Sequence, residues 1–497
     1  MNSFIPTVLL FFQTLALDYI YFIGMAIAYV FVIILVVKTL LQNRNPVVTL
    51  SWIMVLTLLP FMGLALYFLF GQRIRRRWIF KRMRHKEIKQ MNTLSENQLR
   101  QLENMDWSDD QYLLEYQKLV SMLLKNNSSF LSSNNHMDVY HSGAAVYNAI
   151  YEDLKSAAKF IHMQYYLMED GVVAKNISDI LIERSHSGVQ VSLVLDGIGS
   201  RKLSKDFIRN LQANGVEVLL FRPVRFPNLT NKINNRNHRK ILVVDGRIGY
   251  TGGINIADKY LVKYGEPGFW RDTHLRIHGD SVKMLEAIFL VNRYYLTQQF
   301  FKNLKSYFPV LENKFGSHIQ IASSSPESGT ANILHAFFTA INTAKKSIRI
   351  ASPYFIPDES LLMALKTAAM GGVKVEVILP GIMDSHFVQY SARSYVQQLL
   401  GNGIHVYFYN KGFIHAKVLI IDHLLSIVGT SNFDYRSFYQ NFEISAVVYD
   451  EIFARSLITQ FEKDRSDSEK ISLSKWRKRP MKNKLLESLA RLYAPLI

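Results

Sequence analysis

At 497 residues the chain is too long for one ordinary domain, and length alone suggests two or three. Its formal charge of +18, from 58 Lys and Arg against 40 Asp and Glu, points to an anionic partner, either nucleic acid or an anionic membrane surface. Cysteine is absent, which excludes disulfides and cysteine-ligated zinc and suits a reducing compartment.

The first ninety residues weigh between those partners. Phe4 to Leu17 is apolar but short for a membrane span, and Asp18 interrupts it. It has no basic stretch ahead of it, so it reads as an interfacial segment and not as a cleaved signal peptide. Tyr19 to Leu41 carries one charge, Lys38, near enough to its end to snorkel. At about 1.5 Å per residue this stretch crosses a hydrocarbon core of roughly 30 Å. After the polar break "QNRNP", Val47 to Phe70 is a second uncharged span, and the two read as a helical hairpin. The competing reading, two buried helices of a soluble domain, suits their length poorly. Nine basic residues then lie between Arg73 and Lys89, with Glu87 alone opposing them. The positive-inside tendency keeps that flank, and everything after it, cytoplasmic. Such a cluster also attracts anionic headgroups, by about 1 kcal/mol per basic residue near the surface.

Beyond about residue 127 short apolar runs alternate with helical stretches. One unit runs from the helix "YNAIYEDLKSAAKF" to the strand "IHMQYYL", the helix "ISDILIERSHSG" and the strand "VQVSLVLDG". A second repeats that layout with "ILHAFFTAINTAKKS", "IRIASPYF", "SLLMALKTAAMGG" and "VKVEVILPG". Matching features stay about 180 residues apart, which marks an internal duplication. Alternating strands and helices predict α/β architecture, with mixed or parallel sheets covered by helices. The boundaries expected are a membrane region over 1–72, a basic juxtamembrane linker over 73–126, a first half over 127–300, a connector over 301–318, a second half over 319–465 and a basic amphipathic tail over 466–497.

Each half carries H-x-K-x4-D, as "HRKILVVD" from His238 and "HAKVLIID" from His415. The runs "KILVV" and "KVLII" are apolar and β-branched and read as buried strands. Alternation along a strand puts His238 and Lys240 on one face, and likewise His415 and Lys417. Asp245 and Asp422 have the opposite parity, and Asp245 sits in a "DG" turn signal, so both look like anchors at a strand end. Small-residue turns follow, "GGIN" with Gly253 and Asn255, and "GTSN" with Thr430 and Asn432. Their backbone amides and asparagines suit close approach to an anion. An acidic residue follows each turn, Asp272 and Glu443, able to hold a histidine by one ring nitrogen and leave the other free.

Paired His, Lys and Asn about a pseudo-two-fold axis suit a tetrahedral phosphoryl centre. One neutral His attacks phosphorus and the other, protonated, donates to the leaving alkoxide. Lysines and asparagines stabilise the equatorial oxygens. Phosphodiester is exchanged for phosphodiester, so neither ATP nor metal is required. A lysine between the two candidate ligands repels a cation, which argues against a metal site. One H-x-K-x4-D is weak and more often structural, whereas two copies in matching places of a duplication are not easily chance.

With these motifs in view, the chain resembles the phospholipase D superfamily and, within it, the bacterial cardiolipin synthases. "NP" at Asn45-Pro46, Trp52, Pro60, Gly63 and Gly71 resemble the family's membrane hairpin. "IHMQYY", "LVLDGIGS", "NHRKILVVDG", "TGGINIAD" and "WRDTH" resemble the first catalytic half. "SPYFIPDESLL", "FIHAKVLIID", "GTSNFDYRSF" and "NFEIS" resemble the second, and "LARLYAPLI" the family's ending. The resemblance implies two duplicated α/β/α sandwich halves behind a transmembrane hairpin in the bacterial cytoplasmic membrane. It further implies phosphatidyl transfer between two phosphatidylglycerol molecules, giving cardiolipin and glycerol, with no cofactor. The signature sets carried over are His238, Lys240, Asp245 and His415, Lys417, Asp422, with His238 the nucleophile and His415 the acid and then the base. Gly253 departs from the broader superfamily, where a Ser often stands, and implies phosphate binding there through backbone more than hydroxyl.

The nearest alternative is a hydrolytic phospholipase D, or a phosphatidyltransferase with another donor or acceptor. A nuclease of the same superfamily also fits the charge, but no aromatic-basic groove for a strand is apparent. A non-catalytic membrane organiser fits the basic segments but not the intact His and Lys pairs. In the tail, "SKWRKRPMKNK" is basic, and Leu485, Leu489, Leu492 and Leu496 form a helical stripe suited either to docking or to a membrane surface. Tyr165, Tyr166, Tyr354 and Phe355 fall near strand ends, where core packing accounts for most and an acyl or glycerol path for a minority.

Overall fold

The computed structural model describes residues 4–42, 46–68, 111–221, 235–299, 301–311 and 315–493. Gly71 and the basic cluster from Arg73 to Lys89 lie outside the described residues. The described residues divide into two compact units, residues 4–68 and the remainder.

In the first unit, helix α1 (Phe4–Leu40) runs on without a break at Asp18, so the segment expected to lie at the interface and the first expected span are one helix. At about 1.5 Å per residue its 37 residues reach roughly 55 Å, well beyond one hydrocarbon core. Its Tyr21–Leu40 stretch has a mean hydropathy of 2.5 and is the one helix among the described residues long and apolar enough to cross a membrane. Only 22% of that stretch is buried, where a soluble core helix is mostly enclosed. The second expected span, 47–70, is not one helix. It breaks at Leu59 (φ −131°, ψ 68°) into α2 (Pro46–Leu58) and α3 (Pro60–Leu66). Pro60 has no N–H to give to the preceding turn. Val32 and Leu35 pack against Leu56 and Tyr67, and the Thr39 hydroxyl bonds the Tyr67 hydroxyl at 3.0 Å.

The second unit holds two sheets built to one plan. In the first, β1 (Asn135–Tyr140), β2 (Phe160–Tyr165), β3 (Gln190–Asp196), β4 (Glu217–Phe221), β5 (Ile241–Val244), β6 (Ile248–Gly252) and β7 (His274–Gly279) lie in the order β1-β7-β6-β5-β2-β3-β4. Strands β2, β3 and β4 are parallel and the rest antiparallel. The second sheet has β8 (His318–Ser324), β9 (Ser347–Ala351), β10 (Lys374–Pro380), β11 (His405–Tyr409), β12 (Val418–Ile421), β13 (Leu425–Gly429) and β14 (Glu443–Tyr449). Its order β8-β14-β13-β12-β9-β10-β11 repeats the first strand for strand, and β15 (Ser468–Lys470) adds one edge. The duplication read from the sequence is this repeat. β5 and β12 are central and buried on both faces, hence their unbroken apolar runs.

Three apolar layers flank the two sheets. Outside the first sheet lie α5 (Gly143–Lys155) and α6 (Val172–His186), whose Val146, Ile150, Ile177 and Leu181 meet Leu242 and Val244. Between the sheets, Ile241, Val243 and Leu275 of one half share a core with Val418, Ile420 and Ile444 of the other. Outside the second sheet lie α9 (Asn332–Thr343), α10 (Glu359–Met370) and α11 (His386–Gly401). That layer also contains α4 (Gln117–Asn127), whose Leu119, Val120 and Leu123 pack with Ile333 and Phe337. The sequence reading assigned this helix to a linker ahead of the first half. Its i, i+1, i+4 apolar spacing instead buries it in the second, where the Gln320 amide donates to Val120 O and Ser129 O. The expected strand "IRIASPYF" ends at Ala351, and Phe355–Ile356 pairs separately with Phe433–Asp434.

Candidate active site

His238 and Lys240 lead into β5, and His415 and Lys417 into β12, at equivalent places in the two sheets. The lead-ins are stitched across the halves. His238 N–H donates to Phe442 O at 2.9 Å, and His415 N–H donates to Arg271 O at 2.7 Å. Asn237 bridges to Phe442, and Phe413–Ile414 pairs in parallel with Trp270–Arg271. Each motif histidine is therefore clamped to the residue just before the acidic residue of the opposite half.

The side chains follow the same crossing. His238 Nδ1 lies 2.9 and 3.0 Å from the two oxygens of Glu443, and His415 Nδ1 lies 2.7 Å from Asp272 Oδ2. Both carboxylates are fully buried and further tied. Glu443 accepts from the Thr430 hydroxyl and from Asn441 Nδ2 at 3.2 Å, and Asp272 Oδ1 accepts from Thr273 N–H at 2.8 Å. Using Nδ1 in this way fixes each ring and keeps Nε2 off the carboxylate. Lys240 Nζ donates to His238 O at 2.7 Å, and Lys417 Nζ to His415 O at 2.6 Å. Lys417 Nζ also stands 2.9 and 3.0 Å from the two ring nitrogens of His415. Tyr166 packs edge-on to His238 at 5.1 Å, and Trp270 and Tyr354 flank His415 at 5.0 and 6.5 Å.

Burial sets the charge states. It pushes Lys240 down to about 7 and Lys417 down to about 8, because an ammonium in a low-dielectric interior loses its hydration. Burial and the Lys417 charge together push His415 down to about 3, partly offset by Asp272. His238 is also lowered by burial, against the pull of Glu443. Burial works to raise the two carboxylates, yet the lysine and histidine charges prevail and hold both below their ordinary values. The Lys417 charge reaches His238 and the Lys240 charge reaches His415, so the four groups form one electrostatic site. With each imidazole held through Nδ1 by a carboxylate and two buried lysines beside them, the site suits an incoming anion, which would favour the charged form of Lys240 and Lys417.

Not every expected residue joins this cluster. Asp245 and Asp422 lie at the far ends of β5 and β12, roughly 15 Å along the strand from the lysines at about 3.3 Å per residue. Asp245 accepts from the N–H groups of Ala158, Lys159 and Phe160, each at 2.8 Å. Asp422 accepts from Lys345, Lys346 and Ser347 at 2.7 to 3.0 Å. Asn255 is tied to Leu167 N–H and the Tyr260 hydroxyl, whereas Asn432 Oδ1 is buried without a partner among the described residues. Gly253 faces Asp272: a Cβ there would fall 1.9 Å from Asp272 Oδ1. In the other half Thr430 fills the equivalent place and donates to Glu443, so glycine with aspartate and threonine with glutamate are two packings of one arrangement.

Arg239 was not singled out by sequence. It points opposite to His238 and Lys240, is buried, and donates to Glu443 O, Ser324 O and Asn292 Oδ1. The strand alternation that placed His238 and Lys240 on one face put Arg239 on the other, toward the second half. Among the described residues no group of three or more His, Asp or Glu is gathered as metal ligands.

A profile of the family "Cardiolipin synthase, PLD-like domain" matches residues 150–289 and 337–465, one match over each half. The chain belongs to this family. A second profile, "Phospholipase_D-nuclease N-terminal", matches residues 27–72. The chain is 39% identical to cardiolipin synthase 2 of Bacillus anthracis, over 92% of this chain and 88% of that protein. It is 39% identical to the cardiolipin synthase of Alkalihalophilus pseudofirmus, over 92% and 90%, and 36% identical to that of Staphylococcus aureus, over 90% and 91%. Among solved structures, the phosphatidylserine synthase of Haemophilus influenzae superposes with a TM-score of 0.59 at 14% identity, over 76% of this chain and 97% of that one. That likeness establishes the phospholipase D fold of the two halves.

Proposed function

We infer that this protein is a cardiolipin synthase: it moves a phosphatidyl group from one phosphatidylglycerol to a second, releasing glycerol. The crossed pairs His238–Glu443 and His415–Asp272 carry the reading, in a chain whose relatives are cardiolipin synthases over nearly their full length.

In the proposed reaction Nε2 of His238 attacks phosphorus while the headgroup P–O bond breaks. A proton on His415 goes to the departing glycerol oxygen, leaving a phosphatidyl-histidine. The terminal hydroxyl of a second phosphatidylglycerol then gives its proton to His415 and attacks phosphorus, and the P–N bond breaks. Lys240 and Lys417 hold the non-bridging oxygens. The negative phosphodiester offsets the burial and the Lys417 charge that otherwise lower His415, which lets His415 carry its proton when lipid is bound. One phosphodiester replaces another, so the exchange runs in either direction.

The proposed setting is the bacterial cytoplasmic membrane, spanned more than once, with the catalytic unit on the cytoplasmic side. The apolar α1 supports a membrane setting, and the nine basic residues between Arg73 and Lys89 support that orientation. The full chain in phosphatidylglycerol vesicles, with chelator and without nucleotide, is expected to form cardiolipin and glycerol in equal amounts. Phosphatidic acid as the main product would instead identify a hydrolase. A phosphatidyl adduct accumulating on His415 in the His238→Ala variant would reverse the two roles.

A further inference from the structure

Helix α13 (Met481–Tyr493) is seated the wrong way round for an ordinary amphipathic helix. Its polar and small residues face the protein, with Glu487 and Ala490 buried against α11. Glu487 accepts from Arg479 Nη2 at 2.7 Å, Ala490 O accepts from the Ser391 hydroxyl, and Arg491 lies over the Tyr395 ring at 4.4 Å. Met481, Leu485, Leu489 and Leu492 point outward, 79%, 60%, 46% and 74% exposed. Spacing of three to four residues aligns them in one stripe. Docking of the helix therefore does not explain its leucines.

Two observations indicate what covers the stripe. Lys475, Arg477, Lys478 and Lys482 are exposed beside it, with no acidic residue between Trp476 and Leu486. Arg479 meets Gln397 while Ala490 meets Ser391, so α13 runs antiparallel to α11 and its C-terminal end approaches the start of α11. There the chain exposes Ile382 (81%) and Phe387, and Asp384 between them accepts from the hydroxyl of Tyr354, whose ring faces His415. Apolar and basic surface thus extends from α13 to the rim of the histidine site.

We propose that the outward face of α13 is an interfacial membrane anchor that lies in the headgroup layer of an anionic bilayer and holds the site's rim at the lipid surface. The leucines enter the acyl boundary, and the flanking lysines and arginine meet lipid phosphates. This rests on the reading of phosphatidylglycerol as substrate, since the rim must then meet a lipid headgroup.

The chain has no cysteine, so Leu489→Cys gives one labelling site on the full-length protein. Labelled with NBD in vesicles of phosphatidylglycerol and phosphatidylcholine, it should lose about half its emission to a shallow acyl-chain nitroxide, consistent with insertion by 5–10 Å. Leu492→Cys repeats the measurement at a more exposed position, and Lys175→Cys, at an exposed position of α6, should lose none. Emission at 489 and 492 no more quenched than at 175 would overturn the proposal. So would a blue shift without quenching, as contact with a second copy would give. Cardiolipin made in the same vesicles separates the two readings: synthesis without quenching removes the anchor alone, and quenching without synthesis removes the enzyme assignment alone.

Discussion

Glu443 lies 205 residues from the histidine it holds, and Asp272 lies 143 residues from His415. Both acids were visible in the sequence as carboxylates downstream of the small-residue turns, in "WRDTH" and "NFEIS". Their exchange between halves was not, because spacing along a chain says nothing about which of two equivalent partners a side chain meets. A carboxylate on Nδ1 selects the tautomer with Nε2 free and stabilises the imidazolium when it forms. Glu443→Gln keeps an oxygen for His238 but removes that charge, and Asp272→Asn does the same for His415. Each is expected to lower kcat by roughly 10²- to 10⁴-fold with a much smaller change in KM. A loss under tenfold in steady-state cardiolipin synthesis would show that the carboxylate only packs. Lys240 and Lys417 were legible as a pair of candidate phosphate ligands; how far burial lowers them was not, since it depends on walls contributed by both sheets.

At the scale of elements, β5 and β12 each end in a left-handed aspartate, Asp245 at φ 51° and Asp422 at φ 52°. Aspartate tolerates that conformation better than most residues. Each also closes three backbone N–H groups at the start of the neighbouring β2 or β9, which sets the register of the central pair. Strand parity and the "DG" turn made the anchor legible; the amides it binds were not. Asp422→Ala strands those three donors and places alanine at positive φ. The expected cost is about 2–4 kcal/mol, read as a lowered urea midpoint with an unchanged slope. A variant within 0.5 kcal/mol of the parent, an ordinary surface effect of about that size, would contradict the anchoring role. Helix α4 shows the opposite limit. The sequence reading left it in the basic linker, and nothing local told that its apolar face belongs to the second half.

For the whole molecule, the layer between the sheets is common property. Ile241, Val243, Leu275 and Ile277 from one half and Val418, Ile420, Ile444 and Val448 from the other would face water if the halves were parted. At about 1.5–3 kcal/mol for each such side chain, exposing a handful exceeds a typical net stability of roughly 5–15 kcal/mol. Residues 111–300 and 301–493 expressed apart are therefore expected to show no cooperative urea transition; a half that unfolds cooperatively alone would disprove a shared core. The sequence by itself determined the duplication, the two sheets, the apolar N-terminal helix and the paired His and Lys, because periodicity and repeated spacing are properties of one chain direction. Tertiary structure alone decided the exchange of carboxylates, the placement of α4 and the outward leucines of α13. Those depend on which buried surfaces meet, and a hydrophobic pattern specifies only that a surface is to be covered, not by what.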